Sequence, residues 1–161
     1  MKRAGKTDIN QQGFTIIEVV VVLIVLAIVT TVIVYRPTMG SNEITVQAEI
    51  LKSHLRYAQI KAMNDTVPWG IHIPDANSYI LYKNNLMATG SNILPGETAQ
   101  THALPSVVTI TGGAGSTYNF NAFGKPVDTG GNEIASAQTI TLSQGATTSD
   151  ITITKNTGYI P

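Results

Sequence analysis

Apolar and polar positions fall into distinct regimes along the chain. Residues 1–13 (MKRAGKTDINQQG) contain no apolar run. From Phe14 to Tyr35, 18 of 22 residues are apolar, the exceptions being Thr15, Glu18, Thr30 and Thr31. Apolar residues on every side of that stretch leave no polar stripe, so it does not read as an ordinary core helix. At ~1.5 Å per residue a helix over it extends about 33 Å, enough for a hydrocarbon core of ~30 Å. Pro37 and Gly40 then break the pattern. Between Glu43 and Asn64, Ile44, Ala48, Leu51, Leu55, Ala58 and Ala62 recur at steps of three and four, predicting an amphipathic helix whose stripe packs on a sheet. Beyond Asp65 the signal changes to short strands. Val67–Ile73 and Tyr79–Lys83 flank a hairpin loop at 74–78, and residues 84–103 read as irregular. Val107–Thr111, Thr117–Phe120, Thr139–Leu142 and Ile151–Thr154 alternate β-branched and polar residues, as half-buried antiparallel strands do. One helix and about six strands predict an α+β fold with an antiparallel sheet.

Charge sharpens this picture. Ten basic and ten acidic side chains balance, which argues against a dedicated nucleic-acid binder. The absence of cysteine excludes a disulfide framework and any thiolate chemistry. Lys2, Arg3 and Lys6 precede the apolar stretch, and the positive-inside rule places that end in the cytoplasm. The stretch exceeds a signal-peptide core of ~7–15 residues and is not closed by a small-x-small cleavage site, so a plain signal anchor is the simplest alternative reading. Glu18 does not suit a plain anchor. A carboxylate among Ile16, Ile17 and Val19–Val22 costs ~2.5–3.5 kcal/mol at mid-membrane, less near an interface, and asks for a partner.

Gly13-Phe14-Thr15-Ile16-Ile17-Glu18, after a short basic leader and before a long apolar run, resembles the processing site of type IV prepilins and type II secretion pseudopilins. The resemblance implies a cut by a prepilin peptidase between Gly13 and Phe14 and N-methylation of Phe14. The order of later motifs (Leu55–Met63, Leu104–Val107, Phe120–Gly124 and Ile151–Thr154, with Gly158-Tyr159-Ile160) is similar to the GspH/FimT-type minor pseudopilins. It implies a leader at 1–13, a transmembrane and assembly half-helix at 14–36, an amphipathic half-helix at 37–64 packed on the sheet, and a globular antiparallel β domain at 65–161. Expected partners are the prepilin peptidase, other pilin or pseudopilin subunits, an inner-membrane assembly platform with its ATPase, and lipid before assembly. The expected location is the bacterial inner membrane in a single pass, with a periplasmic C-terminal domain that later joins a pseudopilus or pilus. Glu18 would neutralise the new α-amino group of a neighbouring Phe14 and so fix the register of assembly. An intrachain pair meets the same electrostatic demand; the resemblance favours the intersubunit one. Breaking such a pair once buried costs about 3–5 kcal/mol.

The competing readings are a major or minor type IV pilus subunit, a FimT-like DNA-uptake minor pilin, and a plain membrane-anchored binding domain. Against DNA uptake, Tyr159 and Pro161 stand where that group carries C-terminal arginines, which removes the phosphate contacts. His54, His72 and His102 share no metal-ligand spacing and read as scattered. Residues 128–133 offer oxygens but lack the order of an EF-hand loop, and a plain turn is the favoured reading. Gly112–Thr117 lacks the Gly-Lys-Ser/Thr of a phosphate loop. Trp69 reads as a packing contact. No nucleophile–base set is present, so no catalytic residue, cofactor or metal is expected, and the chain reads as a substrate of a processing enzyme.

Overall fold

The computed structural model describes residues 15–34 and 40–161. The chain divides into two units, residues 1–38 and 39–161.

In the first unit, helix α1 covers Ile16–Val34. Its 19 residues correspond to about 28 Å at ~1.5 Å per residue, short of the 33 Å expected over 14–35. Among the described residues no helix is long and apolar enough to cross a membrane; Phe14, Tyr35 and Arg36 lie outside them. The described side chains of α1 are exposed all round, from Val20 at 44% to Ile16 at 86%, so within its own unit the helix finds no apolar cover.

The second unit opens with helix α2, Gly40–Met63. All six stripe residues, Ile44, Ala48, Leu51, Leu55, Ala58 and Ala62, are buried, and the last four are fully so. The helix ends where Asn64 Nδ2 donates to the Ile60 carbonyl (2.8 Å), shortly before Pro68. Nine strands follow: β1 Trp69–Asp75, β2 Ser78–Lys83, β3 Leu86–Met87, β4 Thr101–Ala103, β5 Thr109–Gly112, β6 Thr117–Phe120, β7 Pro126–Val127, β8 Gln138–Gln144 and β9 Thr147–Ile153. They form two antiparallel sheets in place of the single one expected. One has six strands in the order β3-β2-β1-β6-β7, with β4 also on β2, and the other has the order β5-β8-β9. Helix α2 packs on strands of both sheets, so the fold is α+β as predicted.

Residues 84–103 are more ordered than expected. Asn84 and Asn85 both adopt positive φ (51° and 60°), which turns β2 tightly into β3. Strand β4 lies on the same edge of β2, with Tyr79 opposite His102. Two-residue and three-residue strands carry too little alternation to be read from sequence. The core gathers the α2 stripe with Trp69, Ile71, Ile73, Tyr79, Leu81, Tyr118 and Phe120 from the larger sheet and Ile110, Ile140, Leu142, Ile151 and Ile153 from the smaller.

Candidate functional site

The start of α1 carries the feature the sequence singles out. Thr15 is the N-cap: its carbonyl accepts from the amides of Glu18 (3.1 Å) and Val19 (3.2 Å), and its Oγ1 lies 3.3 Å from the Glu18 amide. Thr15-Ile16-Ile17-Glu18 therefore has the spacing of a capping box, with Glu18 at its third helical position. The carboxylate sits in the first turn, at the positive end of the helix dipole. The local fold thus places one negative charge beside the backbone leaving the helix start, surrounded by exposed Ile16, Ile17, Val19 and Val22. Thr-x-x-Glu before an apolar run is the visible sequence signal of this cap. Gly13 and Phe14, the expected cleavage pair, lie outside the described residues.

A second cluster corrects the reading of the histidines as scattered. The rings of His54 on α2 and His102 on β4 meet edge-on at 5.6 Å, and His102 stacks on Tyr79 at 4.5 Å. His54 Nδ1 faces the Tyr79 hydroxyl (2.9 Å), and its Nε2 faces the Pro95 carbonyl (3.1 Å). With Nε2 donating to that carbonyl, neutral His54 accepts at Nδ1 from the tyrosine hydroxyl. His102 pairs with Glu97 through Nδ1 (2.7 Å) and faces Gln47 Oε1 through Nε2 (3.4 Å). Desolvation lowers the pKa of His54, the Pro95 bond opposes that, and the neighbouring His102 adds to it. Burial pushes the Tyr79 hydroxyl well above the usual tyrosine range. These contacts tie the 88–100 connection to α2. His72 stands apart, stacked on Tyr82 and bonded to Thr117 Oγ1. Among the described residues no group of three or more His, Asp or Glu side chains is placed to hold a metal.

The remaining candidates resolve into packing. Trp69 is buried. Its Nε1 donates to Asp65 Oδ2 (3.0 Å), and the ammonium groups of Lys83 and Lys61 lie over its ring at 5.0 and 5.2 Å. Lys83, then the indole, then the Thr66 amide hold the Asp65 carboxyl well below the usual range. In the 128–133 loop, Asp128 Oδ1 accepts from the amides of Gly130 and Asn132 (both 2.8 Å), and Glu133 pairs with Lys125 (2.7 Å). The C-terminal tail is clasped onto α2. Arg56 Nη2 donates to the Ile160 carbonyl (2.9 Å), while Gln59 Nε2 reaches the carbonyls of Gly124 (2.7 Å) and Gly158 (3.1 Å). Ile160 is buried and Tyr159 is exposed.

Residues 9–34 match the prokaryotic N-terminal methylation motif. The structure is similar to that of the type IV minor pilin FimU of Pseudomonas aeruginosa, with a TM-score of 0.53 and 18% identity over 78% of this chain and 91% of that one. It is similar to the same degree, TM-score 0.53, to the minor pseudopilin EpsH from the type 2 secretion system of Vibrio cholerae, at 12% identity over 74% of this chain and 94% of that one. No curated protein sequence matches the chain. Motif and fold agree with the order of elements described above: the chain carries a prokaryotic N-terminal methylation motif, and its fold is similar to that of a type IV minor pilin and of a minor pseudopilin.

Proposed function

We propose that the chain is a minor pseudopilin, a structural subunit of a type II secretion pseudopilus. In this reading a prepilin peptidase cuts between Gly13 and Phe14 and methylates Phe14. The subunit waits in the inner membrane with its C-terminal domain in the periplasm, and an assembly platform then draws it out of lipid. The observation that carries the reading is the first turn of α1, where the helix's one charged side chain stands among apolar neighbours and all the described side chains are exposed. An apolar rod without cover needs lipid or other rods around it. Near-uniform valine and isoleucine faces do not select one axial offset, whereas a charge pair does. Glu18 of one subunit, opposite the amine of Phe14 on the next, would set that offset. The work is mechanical, and the chain acts as a substrate of the peptidase with no catalytic residue, cofactor or metal of its own. A second reading, a minor subunit of a type IV pilus, draws equal support from the likeness to FimU.

Glu18→Ala tests the register role. The variant should be processed and inserted as the parent is, yet fail to enter filaments in cells that express the complete assembly machinery. Normal incorporation of the variant would remove the role assigned to Glu18. Loss of processing would move that role to peptidase recognition.

A further inference from the structure

The edges of the two sheets are not alike. Strands β3 and β7 have two residues each and β4 has three. Strand β5 has four, carries a register shift, and uses its Ile110 amide to bond the Ala76 carbonyl in the β1–β2 turn. Short length, irregular register and covered amides are the usual ways of blunting an edge. Strand β9 has none of them. It runs seven residues, Thr147–Ile153, and pairs with β8 at seven consecutive positions without a shift. Its sequence, Thr-Thr-Ser-Asp-Ile-Thr-Ile, contains no proline, glycine or lysine and is rich in β-branched residues. Among the described residues, no backbone hydrogen bond joins 147–153 to anything except β8. Thr147, Thr148 and Asp150 are exposed.

A row of free amides and carbonyls on a regular strand is met by another extended backbone, and the side chains decide which one. Ile151 and Ile153 are buried toward the core, on the same face as Thr147 and Ser149, while Thr148, Asp150 and Thr152 alternate on the outer face. Asp150 carries the only charge. Its Oδ1 accepts from Thr141 Oγ1 on β8 (2.7 Å), and no hydrogen bond is formed at Oδ2 among the described residues. A second copy fits this edge poorly. The antiparallel register that keeps all seven residues paired puts Asp150 opposite its own counterpart, with Cβ atoms about 4.5–5.5 Å apart, where like charges repel. Slipping by two residues keeps the buried faces aligned but pairs only five of the seven. A strand with a cation at the central position uses all seven.

We infer that the free edge of β9 docks an extended segment of a different chain, alternately apolar and polar, with lysine or arginine opposite Asp150. The partner strand would lengthen the β5-β8-β9 sheet to four strands and place its apolar side chains beside Ile151 and Ile153.

The test uses the full chain in detergent micelles and two capped seven-residue peptides of alternating valine and threonine, one with lysine and one with glutamate at the centre. At millimolar concentration the lysine peptide should slow amide hydrogen exchange specifically along β9, and the glutamate peptide should bind about fivefold more weakly. Asp150→Lys should reverse that order. Reversal by a single exposed residue separates docking from any effect on folding. Absence of protection on β9 with either peptide, or equal protection by both peptides in parent and variant, would overturn the inference. So would reversible dimerisation through β9 that tightens in Asp150→Asn, because the occupant would then be a second copy.

Discussion

Gly158→Ala tests whether the C-terminal tail is fastened to α2 as described. Gly158 has φ +64°, and a Cβ there would run into the Gly124 carbonyl oxygen and stand 2.6 Å from Gln59 Nε2. The first obstacle is backbone and cannot swing aside. Two costs therefore add. The left-handed conformation costs a non-glycine residue about 1 kcal/mol, partly offset by the stiffer unfolded chain. Moving the tail away also loosens the bonds from Gln59 to the Gly124 and Gly158 carbonyls and from Arg56 to Ile160. At ~1 kcal/mol net for each of a few such bonds, the variant should lose about 3 kcal/mol. Gly90→Ala is the matched control, because Gly90 has φ +68° and nothing within 4 Å of its Cβ. It should lose only the conformational cost, about 1 kcal/mol or less. Urea unfolding followed by the single tryptophan, buried Trp69, reads both variants. With a slope of ~1.5 kcal/mol per M, 3 kcal/mol moves the midpoint by about 2 M. Equal midpoints for the two variants would refute the clasp and leave only a backbone effect.

Further outcomes follow from the core and the buried network. Leu55→Ala removes a fully buried side chain at the centre of the α2 stripe and should cost ~2–5 kcal/mol in the same unfolding assay. His54 is held neutral by burial, so its pKa is lower folded than unfolded; the unfolded chain binds more protons below about pH 6.5. Its contribution is complete above that pH and is lost as pH falls through the folded value. Urea midpoints of the parent should therefore decline below about pH 6.5, and His54→Gln should flatten that part of the profile. Asp65 shows the same sign at lower pH, because its folded pKa lies below the usual 3.8. Asp65→Asn should flatten the acid limb below about pH 4, measured against the parent in the same buffers.

What the sequence reveals depends on the range over which each signal is written. The stripe from Ile44 to Ala62 repeats over five turns, and its period alone identifies the buried face. Strands β1, β2, β5, β6, β8 and β9 each run four residues or more and are rich in β-branched or aromatic residues, enough to be legible from local sequence. Strands β3 and β7 have two residues each and exist because neighbours offer backbone partners, so nothing local marks them. Asn84-Asn85 was an exception, since paired asparagines are a known route to the positive φ of a tight hairpin. The division into two sheets depends on which strands meet, a property of long-range pairing. The same holds for His54 and His102, 48 positions apart in sequence and joined only when β4 lies on β2 and α2 covers both. Glu18 was legible because a charge inside an apolar run is a local contradiction. Its partnership with the α1 N-cap was written in the Thr15–Glu18 spacing beside it.

The central claim is that this chain matures by losing its leader, which places a new amine next to Glu18. Mass spectrometry of the N-terminus, on protein from cells with an active prepilin peptidase, addresses it directly. The account predicts a peptide that begins at Phe14 and carries one additional methyl group on its α-nitrogen. An intact Met1 terminus, or a first residue other than Phe14, would contradict it.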